Sequence, residues 1–140
     1  MKKFLFNFLS FTWGLPMTLI GNIVAIVLIA MGHKQYGTYG YCKVFKICNN
    51  WGGLSLGNVI LTSNPESDRT MKHEHGHALQ NCWFGPLMPF IVVIPSAARY
   101  WWMTYQIKKG NTNIPDYDSI WFEGQATRVG TEFIEKYFTE

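Results

Sequence analysis

Charge is scarce in this chain. Only 15% of its 140 residues are Asp, Glu, Lys or Arg, against about a quarter in an ordinary soluble domain. The basic residues, among them Lys2-Lys3, Lys43, Lys46, Arg69, Lys72, Arg99 and Lys108-Lys109, never gather into a long block. No nucleic-acid signature accompanies them, so nucleic acid is excluded as the natural partner. Cysteine is scarce as well. Cys42, Cys48 and Cys82 make an odd count without a CxxC spacing, which excludes a cysteine zinc knuckle and a disulfide framework. The one pairing left open is Cys42 with Cys48 in an oxidising compartment. The length allows one modest domain with a single core.

What the chain has instead is apolar surface: 48% of it is hydrophobic and 16% aromatic. No charge occurs from Phe4 to Met31, a run longer than the ~20 helical residues that cross a bilayer. Gly14-Leu15-Pro16 should break that run, leaving Phe4–Trp13 as an interfacial aromatic segment and Met17–Met31 as the deeper part. Asn22, strongly polar, is expected to face protein. A cleaved signal peptide is the rival reading, with Lys2-Lys3 as its n-region, but the apolar part is too long for a usual h-region. The expectation is therefore an N-terminal transmembrane anchor over residues 1–34 and a domain over 35–140. A second apolar stretch, residues 86–98, holds Pro86, Pro89 and Pro95 and stops at Arg99. It is too short and broken for a span and reads as re-entrant or interfacial, with lipid as a partner.

Residues 71–83, MKHEHGHALQNCW, carry the chemistry. On a helix His73 and His77 lie one turn apart on the same face, so both imidazoles reach one point. Glu74 is about 100° round from His73, poorly placed as a ligand and well placed as a general base beside an open coordination position. His-Glu-x-x-His thus proposes Zn²⁺ held by His73 and His77, with Glu74 taking a proton from water as it attacks a carbonyl. Gly85-Pro86 reads as the helix stop and Asn64–Asp68 as the turn and N-cap before it.

A catalytic zinc keeps three protein ligands. His75 points elsewhere on the helix and His33 follows the apolar run, so the third ligand is sought at Glu123. Asp118 or Ser119 can cap a helix in which Glu123, Ala126, Thr127 and Gly130 share one face, its small residues admitting another helix. If residues 86–98 crossed a membrane, Glu123 would sit on the far side from His73 and His77. Glu123 as ligand therefore requires that segment to turn back.

These residues resemble the gluzincin branch of the zincin-like metallopeptidases, which includes integral-membrane prenyl-protein and heat-shock proteases. The series Gly52-Gly53-Leu54-Ser55-Leu56-Gly57, His-Glu-x-Gly-His-x-x-Gln, Gly85-Pro86, Ile94-Pro95-Ser96 and Glu-x-x-Ala is similar to that of small bacterial proteins assigned to such peptidases. The resemblance implies zinc on His73, His77 and Glu123, Glu74 as base, and a bacterial inner-membrane setting. It also implies that Leu54–Thr62 is an extended wall to which a peptide substrate adds as a strand, with Ser55 on it. Where many relatives carry an acidic residue to orient a metal histidine, Thr127 stands here, with a hydroxyl as the weaker acceptor. Gln80 faces the site or the helix surface. An oxyanion donor is expected among Tyr100, Tyr105, Tyr117 and Arg99.

The expected protein is thus α+β, a minimal and mostly helical zincin-like domain with a short sheet, acting as a membrane-associated zinc peptidase. Two alternatives stay open: a structural zinc clasp without catalysis, and a metal-free membrane interaction protein.

Overall fold

A computed structural model describes residues 1–47 and 52–139. The architecture is α+β, mostly helical with one four-stranded sheet. Helices α1 (Lys3–Phe11) and α2 (Leu15–Ala30) come first. Gly14 and Pro16 part them where the sequence predicts, at a bend of 94°, because proline is tolerated only in a helix's first turn. Strands β1 (Gln35–Tyr39), β2 (Cys42–Lys46), β3 (Gly53–Leu56) and β4 (Val59–Thr62) follow. The pairing of Cys42 with Cys48 falls outside the described residues.

The strand order is β1-β2-β4-β3, with β2 and β4 parallel and the outer pairs antiparallel. β3 is therefore an edge strand, and the extended wall expected over 54–62 is a hairpin. Gly57, at a φ of 63°, supplies the turn. β4 is buried on both sides, and alternate residues of β2 and β4 divide between two clusters. Cys42, Val44 and Ile60 pack with Phe6 of α1, Met71 and Leu79 of α3 (Asp68–Phe84), and Phe133 of α5 (Trp121–Tyr137). Phe45, Val59 and Leu61 pack instead with Met17 and Ala25 of α2 and with Met88, Val92 and Phe122.

α3 begins at Ser67, whose hydroxyl accepts from the Thr70 N–H at 3.3 Å, and ends at Gly85 with φ 54°. Both ends lie where capping chemistry puts them. The second apolar stretch is helical: a 3₁₀ turn (Gly85–Leu87) and a π-helical turn (Pro89–Val93) lead into α4 (Ile94–Lys108), which runs on past Arg99. Pro95 sits in the first turn of α4, where its missing N–H costs nothing. The chain turns by 114° at the break between α3 and α4. Among the described residues no single helix is long and apolar enough to cross a membrane, so the transmembrane anchor expected of the N-terminal run is not seen as one straight span.

Candidate metal centre

α3 and α5 cross almost in backbone contact, and small residues make this possible. A methyl added at Gly76 would lie 1.9 Å from the Ala126 carbonyl oxygen, and one at Gly130 would lie 1.8 Å from that of Lys72. Distances so short exclude any side chain larger than hydrogen. This seam brings Glu123, fully buried, against His73 and His77 one turn apart on α3.

The three donor atoms converge. His73 Nε2 and His77 Nε2 are 3.1 Å apart, and Glu123 Oε2 lies 3.2 and 3.0 Å from them. A tetrahedral ion with ligands at about 2.0–2.1 Å has donor edges of roughly 3.3 Å. The triangle fits one face of that tetrahedron.

The outer nitrogens decide the tautomers. Thr127 Oγ1 donates to Asp118 Oδ2 at 3.0 Å and so accepts from His73 Nδ1–H at 2.8 Å. Gln80 Nε2 donates to the Phe122 carbonyl and to Gln125 Oε1, which turns Gln80 Oε1 toward His77 Nδ1 at 2.8 Å. Both Nδ1 atoms then carry the proton, and both Nε2 lone pairs point at a carboxylate oxygen. Three lone pairs at such distances repel unless a cation or a proton lies between them. The same field acts on titration: burial opposes charge on His77, but the Glu123 and Glu74 carboxylates outweigh it and raise its pKa. Burial alone would raise the pKa of Glu123, whereas the two imidazoles that meet it hold it well below the carboxylate range. The triad can hold a metal ion.

Glu74 does not join the three converging donors. Its carboxyl lies under β3, where a methyl at Gly53 would come within 2.6 Å of Oε1. Its Oε2 is buried without a hydrogen-bond partner. Burial raises its pKa, with the two imidazoles opposing, as suits a proton acceptor in a dry site.

In front of the triad lies a cavity of about 750 Å³, within the range of ligand sites. His73, Glu74, His77, Ser55, Thr127 and Tyr117 line it, opposite an apolar wall of Met88, Val92, Val93, Ala97, Tyr100 and Trp101. Ser55 Oγ is buried there without a partner. Of the four oxyanion candidates, Tyr117 and Tyr100 reach the cavity. Arg99 turns instead to the Pro115 and Asp116 carbonyls and to Ser119, and Tyr105 packs beneath Lys109. Tyr117 is hydrogen-bonded to Ser96. Burial raises its pKa above that of free phenol, so its hydroxyl stays a donor.

Two site features were hidden in the sequence. Neither Asp118 nor Ser119 caps α5, whose N-cap is Ile120 with no side-chain bond. Asp118 instead supplies, through the Thr127 hydroxyl, the carboxylate that position 127 lacks, and it also meets Arg69 at 3.6 Å. Gly53 is the second, admitting Glu74 beneath the edge strand. His75 and His33 stand apart from the site, as expected: His75 is buried among aromatic rings and His33 is exposed. Comparison with protein-family models, curated proteins and solved structures finds no match to this chain.

Proposed function

We propose that the chain is a zinc-dependent peptidase of zincin-like type, with zinc on His73, His77 and Glu123 and Glu74 as general base. The observation that carries this reading is the triad of bare donor atoms facing an open cavity with an unpaired carboxylate at its edge. A structural clasp would be closed by a fourth protein ligand, and among the described residues no such ligand joins the three. Zinc is favoured over harder ions by two imidazoles and one carboxylate in a tetrahedral face. Bound there, it would supply the charge that polarises a carbonyl and acidifies water.

The chain's own groups supply the rest. The free edge of β3 offers backbone N–H and C=O groups to an extended peptide, and Gly53 lets that backbone pass close above Glu74. Glu74 takes the proton of the attacking water and returns it to the leaving amine. Tyr117, or Tyr100 across the cavity, donates to the oxygen that gains charge. The apolar wall from Met88 to Trp101 favours a large apolar side chain beside the scissile bond.

The test is cleavage of a fluorogenic peptide library by zinc-loaded protein and by Glu74→Gln. Hydrolysis by the first, lost in the second while zinc remains bound, is the expected result. Equal hydrolysis by both would refute the assignment of the base.

A further inference from the structure

The apolar surface left over by the metal centre is large. α2 buries Met17, Thr18, Gly21 and Ala25 against the domain and exposes Leu19, Ile20, Ile23, Ile26, Val27 and Ile29 on its other face. α1 exposes Phe4, Phe8 and Phe11, and the turn into α4 exposes Phe90 and Ile94, 68% and 58% accessible. These elements are neighbours: α2 shares its buried cluster with Met88 and Val92 of the turn. So much contiguous apolar surface marks an interaction face.

Three observations identify the partner. Exposed basic residues stand at the ends of these elements, Lys2-Lys3 at the start of α1, Lys34 beyond α2 and Lys108-Lys109 at the end of α4. Exposed Trp13, Trp83, Trp101 and Trp102 accompany them, with Arg99 over Trp102 at 5.0 Å. Lysine and tryptophan at the margin of an apolar face match the headgroup level of an anionic bilayer.

The third observation sets the depth. α2 has 16 residues, about 24 Å of helix against the ~30 Å of a hydrocarbon core. At its midpoint Asn22 Nδ2 donates to Asn58 Oδ1 at 2.8 Å, and the exposed Lys43 ammonium donates to Asn22 Oδ1 at 3.2 Å. A lysine fixed beside the middle of the helix cannot lie at the centre of a bilayer without large cost. Moreover α1 returns to the domain, since Tyr41 donates its hydroxyl to the Met1 carbonyl at 3.2 Å. Both ends of the apolar run thus belong to one side.

We infer that the protein sits in one leaflet of an anionic phospholipid bilayer. The outer faces of α1, α2 and the turn into α4 enter the acyl layer, while the sheet and Lys43 stay in water. The inference is independent of the zinc reading, because no ligand of the triad takes part in it.

The test uses the full chain produced in bacteria, with Cys48→Ser so that Lys2→Cys or Lys34→Cys carries the reporting thiol; Cys42 and Cys82 are buried. Right-side-out and inverted membrane vesicles are treated with a membrane-impermeant maleimide. Both positions should react in the same vesicle type and be protected in the other. Reaction in opposite types would show that α2 crosses the membrane and overturn the inference. Purified protein should also float with vesicles containing phosphatidylglycerol, and Ile23→Asp with Ile26→Asp, both at exposed positions, should cut the floating fraction by about tenfold. Failure of the unmodified protein to float, including as a soluble dimer that covers the face with itself, would equally overturn it.

Discussion

Helix α3 carries three histidines in five residues, and its two faces treat them oppositely. On one face His73 and His77 have their Nδ1 protons claimed by Thr127 and Gln80, and their Nε2 atoms meet Glu123. On the other, His75 is fully buried between Phe6 and Phe133, at 6.2 and 5.1 Å between ring centroids. Its Nε2 accepts the Tyr41 N–H at 3.3 Å and its Nδ1 has no partner. Burial drives the pKa of His75 down to about 4, whereas carboxylates raise that of His77. Burial alone therefore does not make a histidine a ligand. The acceptor behind Nδ1 and the carboxylate ahead of Nε2 are what fit His73 and His77 to hold an ion.

The largest effect is expected at Glu74, which stands outside the three converging donors and which the proposed function makes the base. Glu74→Gln should lower kcat by about 10²–10⁴-fold with the metal retained, read from steady-state kinetics beside elemental analysis; loss of metal in that variant would make Glu74 a ligand after all. Next comes the seam beneath both faces. Gly76→Ala forces a methyl into the Ala126 carbonyl and should cost about 3 kcal/mol, measured by chemical denaturation in suitable detergent. An unchanged midpoint would mean that the helices are not in contact there.

His75 should show itself in the pH dependence of stability. Its folded pKa lies below its unfolded value of 6.5, so the unfolded chain takes up the proton first. Stability is then complete above pH 6.5 and falls as pH drops toward 4, by about 3 kcal/mol in all. His75→Gln should flatten that slope relative to the unmodified protein, and parallel slopes would contradict it. The smallest effect is expected behind His73. Thr127→Val or Asp118→Asn should weaken zinc binding about 10–100-fold in a chelator competition, and Thr127→Ser should restore it. If Asp118→Asn binds zinc as tightly as the unmodified chain, the hydroxyl works without its carboxylate.

The sequence carried the local half of this arrangement. The i, i+4 spacing of His73 and His77, the stop at Gly85-Pro86 and the break at Gly14 to Pro16 follow from helix geometry and proline chemistry, which act within a few residues. Glu123 was legible too, because a lone acid on a face with Ala126 and Gly130 has little to meet except another helix. Asp118 was not. Its role depends on the path of residues 109–120, which returns the chain from α4 to α5 and sets Asp118 against Thr127. Read locally it looked like a cap. The parallel pairing of β2 with β4 joins segments separated by an edge strand, and periodicity carries no signal for such a partner. The continuation of α4 past Arg99 was masked by three prolines, each read as a breaker although Pro95 occupies a helix's first turn.

The most direct test is zinc stoichiometry by elemental analysis of the purified protein beside His75→Gln, His77→Gln and Glu123→Gln, all after zinc supplementation and desalting. A metal centre at the triad requires about one zinc per chain in the unmodified protein and in His75→Gln, and none in the other two. Zinc retained by Glu123→Gln, or absent from the unmodified protein, would contradict it.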